Sequence, residues 1–252
     1  MVAMPHPPRN VVASAYRFVA LDDLPALRQR LFDSAAAVGL KGTVLLAEEG
    51  INIALAGAAT SITAWLDELA CDPRFAPLPV KFSSSDAPAF QRLKVKIKRE
   101  IIRMDQPALA PASGRAPAVS PATLARWLAQ GGDDAGRPLR LLDARNAFEV
   151  DAGAFAGAID WRLAKFSEFP AALAAHRAEL DGATVVSYCT GGIRCEKAVL
   201  AMQALGLTHS YQLDGGILNY FEATEGAAPG WQGDCVVFDE RGALDRSLLP
   251  TP

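Results

Sequence analysis

Among the side chains able to do chemistry, the four cysteines (71, 189, 195 and 235) come first, and Cys189 has the most informative surroundings. It lies in Val185-Val186-Ser187-Tyr188-Cys189-Thr190-Gly191-Gly192-Ile193-Arg194-Cys195-Glu196-Lys197-Ala198. That run starts β-branched and apolar, breaks at two glycines and resumes with helical spacing toward Leu205-Gly206. It reads as a buried parallel strand delivering a thiol into a tight loop that opens a helix. Free N–H groups and the positive end of the dipole gather at a helix N-terminus, so such a loop favours an anion. A cysteine held there has a lowered pKa and is kept as a thiolate, a persulfide or another anion. Thr190, Gly191, Gly192 and Ile193 form the expected loop, the glycines let it curl around the sulfur, and Arg194 adds a fixed positive charge. The plainer reading is a packed cysteine at a strand end, because free cysteines are often buried. The two glycines and the arginine favour the anion loop.

Spacing narrows the choice of anion. Phosphatases of this architecture need five residues between cysteine and arginine, whereas four separate Cys189 from Arg194, and Cys195 stands where their arginine would be. The smaller cradle suits one sulfur atom better than a tetrahedral phosphate. Cys195, at the first helical turn, could resolve an oxidised Cys189 as a disulfide; packing the helix against the sheet is at least as simple a role. Cys71 and Cys235 suggest only buried or incidental thiols. The three histidines (6, 176 and 209) are not paired with carboxylates at ligand spacing, so no metal site is expected. No Gly-x-Gly-x-x-Gly follows a strand, and no cofactor site is visible.

These residues also carry a family resemblance. Cys189-x-x-Gly192-x-Arg194 behind an apolar strand resembles the active-site loop of rhodanese-like domains, whose cysteine carries a persulfide. The longer string Tyr188 to Ala198 resembles the rhodanese-domain family of oxygen-dependent tRNA uridine hydroxylases, which form 5-hydroxyuridine at the wobble position. The stretch Lys41-Gly-Thr-Val-Leu-Leu-Ala-Glu-Glu-Gly-Ile-Asn52 and the stretch Trp231 to Arg241 are similar to the same family. Asp143-Ala-Arg145 with Glu149 and Gly153-Ala-Phe-Ala-Gly-Ala158 again resembles rhodanese-like domains, although Ala154 stands where many of them have histidine. The resemblance implies an oxidoreductase with tRNA as substrate, molecular oxygen as co-substrate and Cys189 as the essential residue. It leaves open whether that sulfur adds to uridine as a thiolate, is oxidised or carries a persulfide. The residues alone yield an activated cysteine in an anion loop; the oxygen chemistry rests on the resemblance. Two other functions stay open, a sulfurtransferase carrying a Cys189 persulfide and a non-catalytic module holding an RNA phosphate.

The elements that position this loop are expected in two domains. Strands at 14–21, 41–47, 51–56 and 79–83 and helices at 24–38 and about 60–70 give the order β-α-β-β-α-β, an N-terminal ferredoxin-like (acylphosphatase-like) α+β domain. Glu48-Glu49-Gly50 makes a hairpin, Thr60 or Ser61 caps the second helix, and Asn52 either caps its own backbone or carries function. From Phe90 to Arg103, Leu93, Val95 and Ile97 face one way and Arg92, Lys94, Lys96 and Lys98 the other. That basic stripe is either edge protection or a surface tracking tRNA phosphates.

The Pro/Ala/Gly-rich run 106–117 reads as a linker. Beyond it, Ser120 caps a helix with Leu124, Trp127 and Leu128 inward, and a buried strand spans 139–143. Asp143 is placed to bind loop amides, and Arg145 and Glu149 are spaced for a local ion pair. A helix at 166–180, the Cys189 strand and helix, a strand at 210–213 and the double glycine of Asp214-Gly-Gly-Ile-Leu-Asn-Tyr220 complete a rhodanese-like open parallel α/β domain. Ligands of such sheets collect at the carboxyl ends of the strands, where Cys189 falls. The expected division is a loose tail over 1–13, the ferredoxin-like domain over 14–105, the linker over 106–118, the catalytic domain over 119–228 and a C-terminal tail over 229–252.

Bulk properties agree with this plan. The 252 residues are 50% hydrophobic and 21% charged, as in a globular protein of two domains. The apolar runs are too short for a membrane helix, and the proline-rich Met1–Asn10 has no signal-peptide core, so a cytoplasmic setting is expected. The net charge of −3 argues against a general nucleic-acid binder. Thirteen Lys and Arg against eleven Asp and Glu in residues 1–105, and twelve against seventeen thereafter, place any basic surface in the N-terminal half. Nothing in the sequence points to an obligate protein partner.

Overall fold

The computed structural model describes residues 10–109, 111 and 115–251. It divides into two compact units, one running through Ile101 and including Phe238–Gly242, the other comprising Ile102–Val237 and the chain from Ala243. Most of the expected N-terminal tail, and residues 110 and 112–114 of the expected linker, lie outside the described residues.

In the first unit, alternating apolar residues build strands β1 (Asn10–Phe18), β2 (Lys41–Ala47), β3 (Gly50–Gly57), β4 (Val80–Ser85) and β5 (Leu93–Ile97). Helices α1 (Leu24–Ala37) and α2 (Ala59–Ala70) lie between them in sequence. The sheet order is β4-β1-β3-β2-β5, antiparallel except that β5 joins β2 in parallel. The β-α-β-β-α-β expectation is realised and extended by a strand. Ala13, Ala15, Val44, Leu46, Ile51, Ile53 and Leu55 pack on Leu27 and Leu31 of α1 and on Ile62, Trp65 and Leu69 of α2. Each large apolar side chain so buried contributes roughly 1.5–3 kcal/mol.

Some local expectations are corrected. β1 starts at Asn10, because Asn10 is held by β4 and Val11–Ala15 by both β4 and β3, and it ends at Phe18. Neither Thr60 nor Ser61 caps α2, which begins at Ala59 without a side-chain cap. Asn52 does not bond its own turn; its Nδ2 donates to the Ile101 carbonyl at 3.3 Å, and the Glu49 carboxylate accepts from the Ile101 amide at 2.8 Å. The hairpin therefore anchors a segment about fifty residues away.

In the second unit, strands β6 (Ala118–Val119), β7 (Leu139–Asp143), β9 (Ile159–Asp160), β10 (Thr184–Tyr188) and β11 (Ser210–Leu213) form a parallel sheet in the order β6-β11-β10-β7-β9. Helices α3 (Pro121–Gln130), α4 (Ala147–Ala152), α5 (Phe169–His176), α6 (Ile193–Ala204) and α7 (Gly216–Ala223) intervene. Neighbouring residues of one strand serve opposite faces: Val185 packs with Phe169, Leu173 and Val199, and Val186 with Leu124, Ile217 and Phe221. All five residues of β10 are buried, as an apolar run covered on both faces requires. Ser120 Oγ accepts from the Thr123 amide at 3.1 Å and Pro121 opens α3, as expected. The helix expected at 166–180 is α-helical only over α5, with tighter 3₁₀ turns on either side.

The expected linker and the expected C-terminal tail both make packing contacts. Met104 and Ala116 are buried, and Glu196 on α6 accepts from the Ala116 amide at 2.7 Å and from Arg115 Nε at 3.1 Å. Beyond residue 229, β12 (Trp231–Gly233) pairs with β8 (Gly153–Phe155), and β13 (Cys235–Val236) with β14 (Ala243–Leu244). Trp231 stands edge-on to Phe155 and Phe221, with centroids 5.2 and 5.4 Å apart. Strands of two or three residues have no readable periodicity, which is why this region looks like a tail in sequence.

Candidate active site around Cys189

β10 ends at Tyr188, so the next residue, Cys189, stands at the carboxyl edge of the parallel sheet with its side chain fully buried. The loop turns back at Gly192, whose φ of +97° is the left-handed conformation that glycine accepts without strain, and α6 begins at Ile193. The Gly192 amide thereby donates to Cys189 Sγ at 3.2 Å. Burial alone pushes the Cys189 thiol up. The Cys195 thiol, the Arg194 charge and the amides of Arg194 and Gly192 outweigh it and bring the pKa down to about 6. Cys195, fully buried, is driven the other way by burial and by the neighbouring Cys189 sulfur, so it stays a thiol that can donate to Cys189. Cys235 is pushed up to about 12 by burial, and Cys71 is exposed in the other unit.

Arg194 is 5% exposed, and its terminal nitrogens donate to both carboxylate oxygens of Glu149 at 2.6 and 2.8 Å. Here the expected ion pair is corrected. Glu149 pairs with Arg194, while Arg145 pairs with Asp143, Nη2 to Oδ2 at 2.7 Å and Nε to Oδ1 at 2.9 Å. Arg145 meets only the backbone carbonyl of Glu149, at 3.2 Å. A fully buried guanidinium needs a partner of its own, and Asp143 on β7 is closer than the carboxylate that α6 already claims. Arg145 also donates to the Gly153 carbonyl and lies over the rings of Tyr188 and Trp231. Asp143 accepts from the Arg145 amide at 3.0 Å, the amide contact expected of it.

The loop is gripped from three further directions. Thr190 Oγ1 lies 3.4 Å from Glu149 Oε1 and 3.3 Å from the Val236 carbonyl. The amides of Ile217 and Leu218, at the start of α7, donate to the carbonyls of Cys189 and Thr190 at 3.0 and 3.1 Å. Gly216, with φ of +68°, makes this approach possible; a Cβ there would lie 2.4 Å from the Cys189 carbonyl oxygen. The double glycine at 215–216 is visible in sequence, but its contact with the cysteine loop is not. Gly191 has ordinary φ and open space at its Cβ position, so only Gly192 of the first pair is needed for the turn. Thr190, Gly191 and Ile193 are half-buried and form the rim above the sulfur.

The basic stripe belongs to the first unit. Lys94 and Lys96 stand opposite Thr43 and Leu45 on the sheet face away from the core, and Val95 points into it. Arg92 and Lys98 flank the strand, and Ile97 is 41% exposed, so the inward row ends at Val95 on this edge strand. Arg92, Lys94, Lys96 and Lys98 form no ion pair among the described residues. No three His, Cys, Asp or Glu side chains among the described residues converge to hold a metal ion, and no helix there is long and apolar enough to cross a membrane.

A parallel α/β unit with a thiolate loop at its sheet edge, joined to a ferredoxin-like unit, defines a two-domain rhodanese-like protein. Residues 10–101 match the family model described as "UPF0176 acylphosphatase like domain", and residues 120–223 match "Rhodanese-like domain". The chain is 63% identical over 243 residues to the tRNA uridine(34) hydroxylase of Bordetella petrii, covering 96% of each protein. To the enzyme of the same name from Delftia acidovorans it is 59% identical, over 95% of this chain and 90% of that one. The chain belongs to the tRNA uridine(34) hydroxylase family.

Proposed function

We infer that the protein is an oxidoreductase that hydroxylates uridine 34 of tRNA, the wobble position, giving 5-hydroxyuridine, with molecular oxygen as co-substrate in the cytoplasm. Membership of the family supports the reaction and its tRNA substrate. Cys189 supports the chemistry: it is the one cysteine in the second unit whose thiol is drawn down rather than pushed up. A thiolate is the nucleophilic form of cysteine, and here it forms without a separate general base, because Gly192, Arg194 and Cys195 stabilise the anion. Asp143, Arg145, Glu149 and Gly216 hold the loop in shape. Arg92, Lys94, Lys96 and Lys98 serve as the phosphate-tracking surface for tRNA, since cations without protein counter-charges are available to displace the counterions of RNA.

The test is mass spectrometry of tRNA nucleosides from cells lacking the gene, complemented with wild type or Cys189→Ala. 5-Hydroxyuridine and its derivatives return with wild type and stay at background with Cys189→Ala. If nucleosides are indifferent to the gene, the hydroxylase reading fails, and a thiosulfate-dependent sulfur-transfer assay tests the remaining use of the loop.

A further inference from the structure

Glu149 is fully buried, carries a negative charge beside a loop that holds an anion, and has no part in the chemistry assigned above. Its carboxylate binds both terminal nitrogens of Arg194, lies within reach of the Thr190 hydroxyl and accepts from the Asn146 amide at 3.1 Å. It therefore touches the loop at two points, at the residue after Cys189 and at the arginine in the first turn of α6. The groups around the sulfur come from several elements. α6 contributes Arg194 and Cys195, α4 contributes Glu149 by way of Arg194, Cys235 of the C-terminal segment faces Thr190, and the Asp143–Arg145 pair closes on itself. Arg194 is the cation that bears on Cys189, and Glu149 is the acid that meets that cation at 2.6 Å.

We propose that Glu149 is a positioning residue that governs how readily Cys189 ionises, by fixing the Arg194 guanidinium against the sulfur and offsetting part of its charge. The two members of this pair then act on the sulfur with opposite sign. Removing the arginine takes away support for the thiolate, whereas removing the carboxylate removes the offset that it sets against the arginine's charge. A residue that only props up the loop would not produce opposite signs. The proposal rests on Cys189 being the reactive sulfur, but its test reads thiol ionisation and not uridine hydroxylation, so the two can fail separately.

The experiment follows the rate of carbamidomethylation of Cys189 by iodoacetamide against pH in the full chain, by peptide mass spectrometry. Exposed Cys71 serves as internal reference. In Glu149→Gln the Cys189 midpoint falls by about one pH unit, and in Arg194→Gln it rises by about one unit or more, with Cys71 unmoved. Glu149→Asp, which keeps the charge, stays closer to wild type than Glu149→Gln does. A midpoint in Glu149→Gln that is unchanged, or that rises as in Arg194→Gln, overturns the proposal. Should Glu149→Gln not fold, the double variant Glu149→Gln/Arg194→Gln is compared with Arg194→Gln alone. Loss of the carboxylate again lowers the midpoint, and an equal or higher value overturns the proposal.

Discussion

Arg194 and Lys96 are both cations, yet they are built in opposite ways. Arg194 is 5% exposed and held by a carboxylate at 2.6 Å, within a network that includes Thr190, Cys189 and the start of α7. Lys96 stands on an edge strand beside Lys94, solvated and without an ion pair among the described residues. A buried charge must be matched because desolvation is costly, so its geometry is fixed and it can act on one atom. An exposed charge gains little from a partner and keeps its side-chain freedom, which would suit the phosphate-tracking role proposed for this strand. Precision in the cysteine loop is obtained by burying charge pairs, and breadth on the strand by leaving charges unmatched.

The largest effect expected from breaking this contrast is at Arg145. Arg145→Ala leaves the Asp143 carboxylate buried without its counter-charge, and chemical denaturation is expected to show a loss of about 3–5 kcal/mol. Next comes Gly216→Ala, whose added methyl would overlap the backbone of Cys189, Thr190 and Gly192. A loss of about 1–3 kcal/mol with lowered 5-hydroxyuridine formation is expected, whereas Gly191→Ala, with open space around it, stays within about 0.5 kcal/mol. Reversing Lys94, Lys96 and Lys98 to glutamate weakens tRNA binding and flattens its salt dependence, by about one unit of slope for each phosphate that the strand ceases to neutralise. Stability changes little in that variant. Unchanged binding in a filter or fluorescence titration would return the stripe to edge protection. The smallest effect near neutral pH is protonation of the sulfur itself. Because the Cys189 pKa is lowered to about 6, its thiolate persists above that value and is lost as pH falls through it. Iodoacetamide labelling of Cys189 should hold steady from pH 8 to 7 and fall about tenfold for each unit below 6.

The features legible in the sequence are local. A strand, two glycines and a helix bring Cys189, Gly192 and Arg194 together within six residues, so the anion loop is evident from the order of residues alone. The partner of Arg194 is not, because Glu149 lies 45 residues away while Arg145 sits at the helical spacing that local reasoning favours. The same limit applies to β5. Its alternation and charge are plain in the sequence, but its parallel pairing with β2 depends on a segment half a domain earlier in the chain. The contact of Gly216 with the Cys189 carbonyl, and the packing of Trp231 onto Phe155, are likewise non-local facts written in residues of ordinary local preference.

Residues Phe238–Gly242 carry a consequence for biogenesis. They belong to the first unit, where the Arg241 guanidinium is clamped by Asp239 and donates to Ser83 and Ser84 on β4, and the Glu240 amide donates to Ala89. β4 is the outer strand of its sheet. On a translating ribosome, all other elements of that unit emerge while these five residues are still unmade, so the sheet edge stays uncovered through most of synthesis. An uncovered edge is a template for wrong pairing. The nascent chain thus passes through a vectorial stage in which its first domain has formed its core but not its border, and a segment translated long after the rest of that unit acts as the seal.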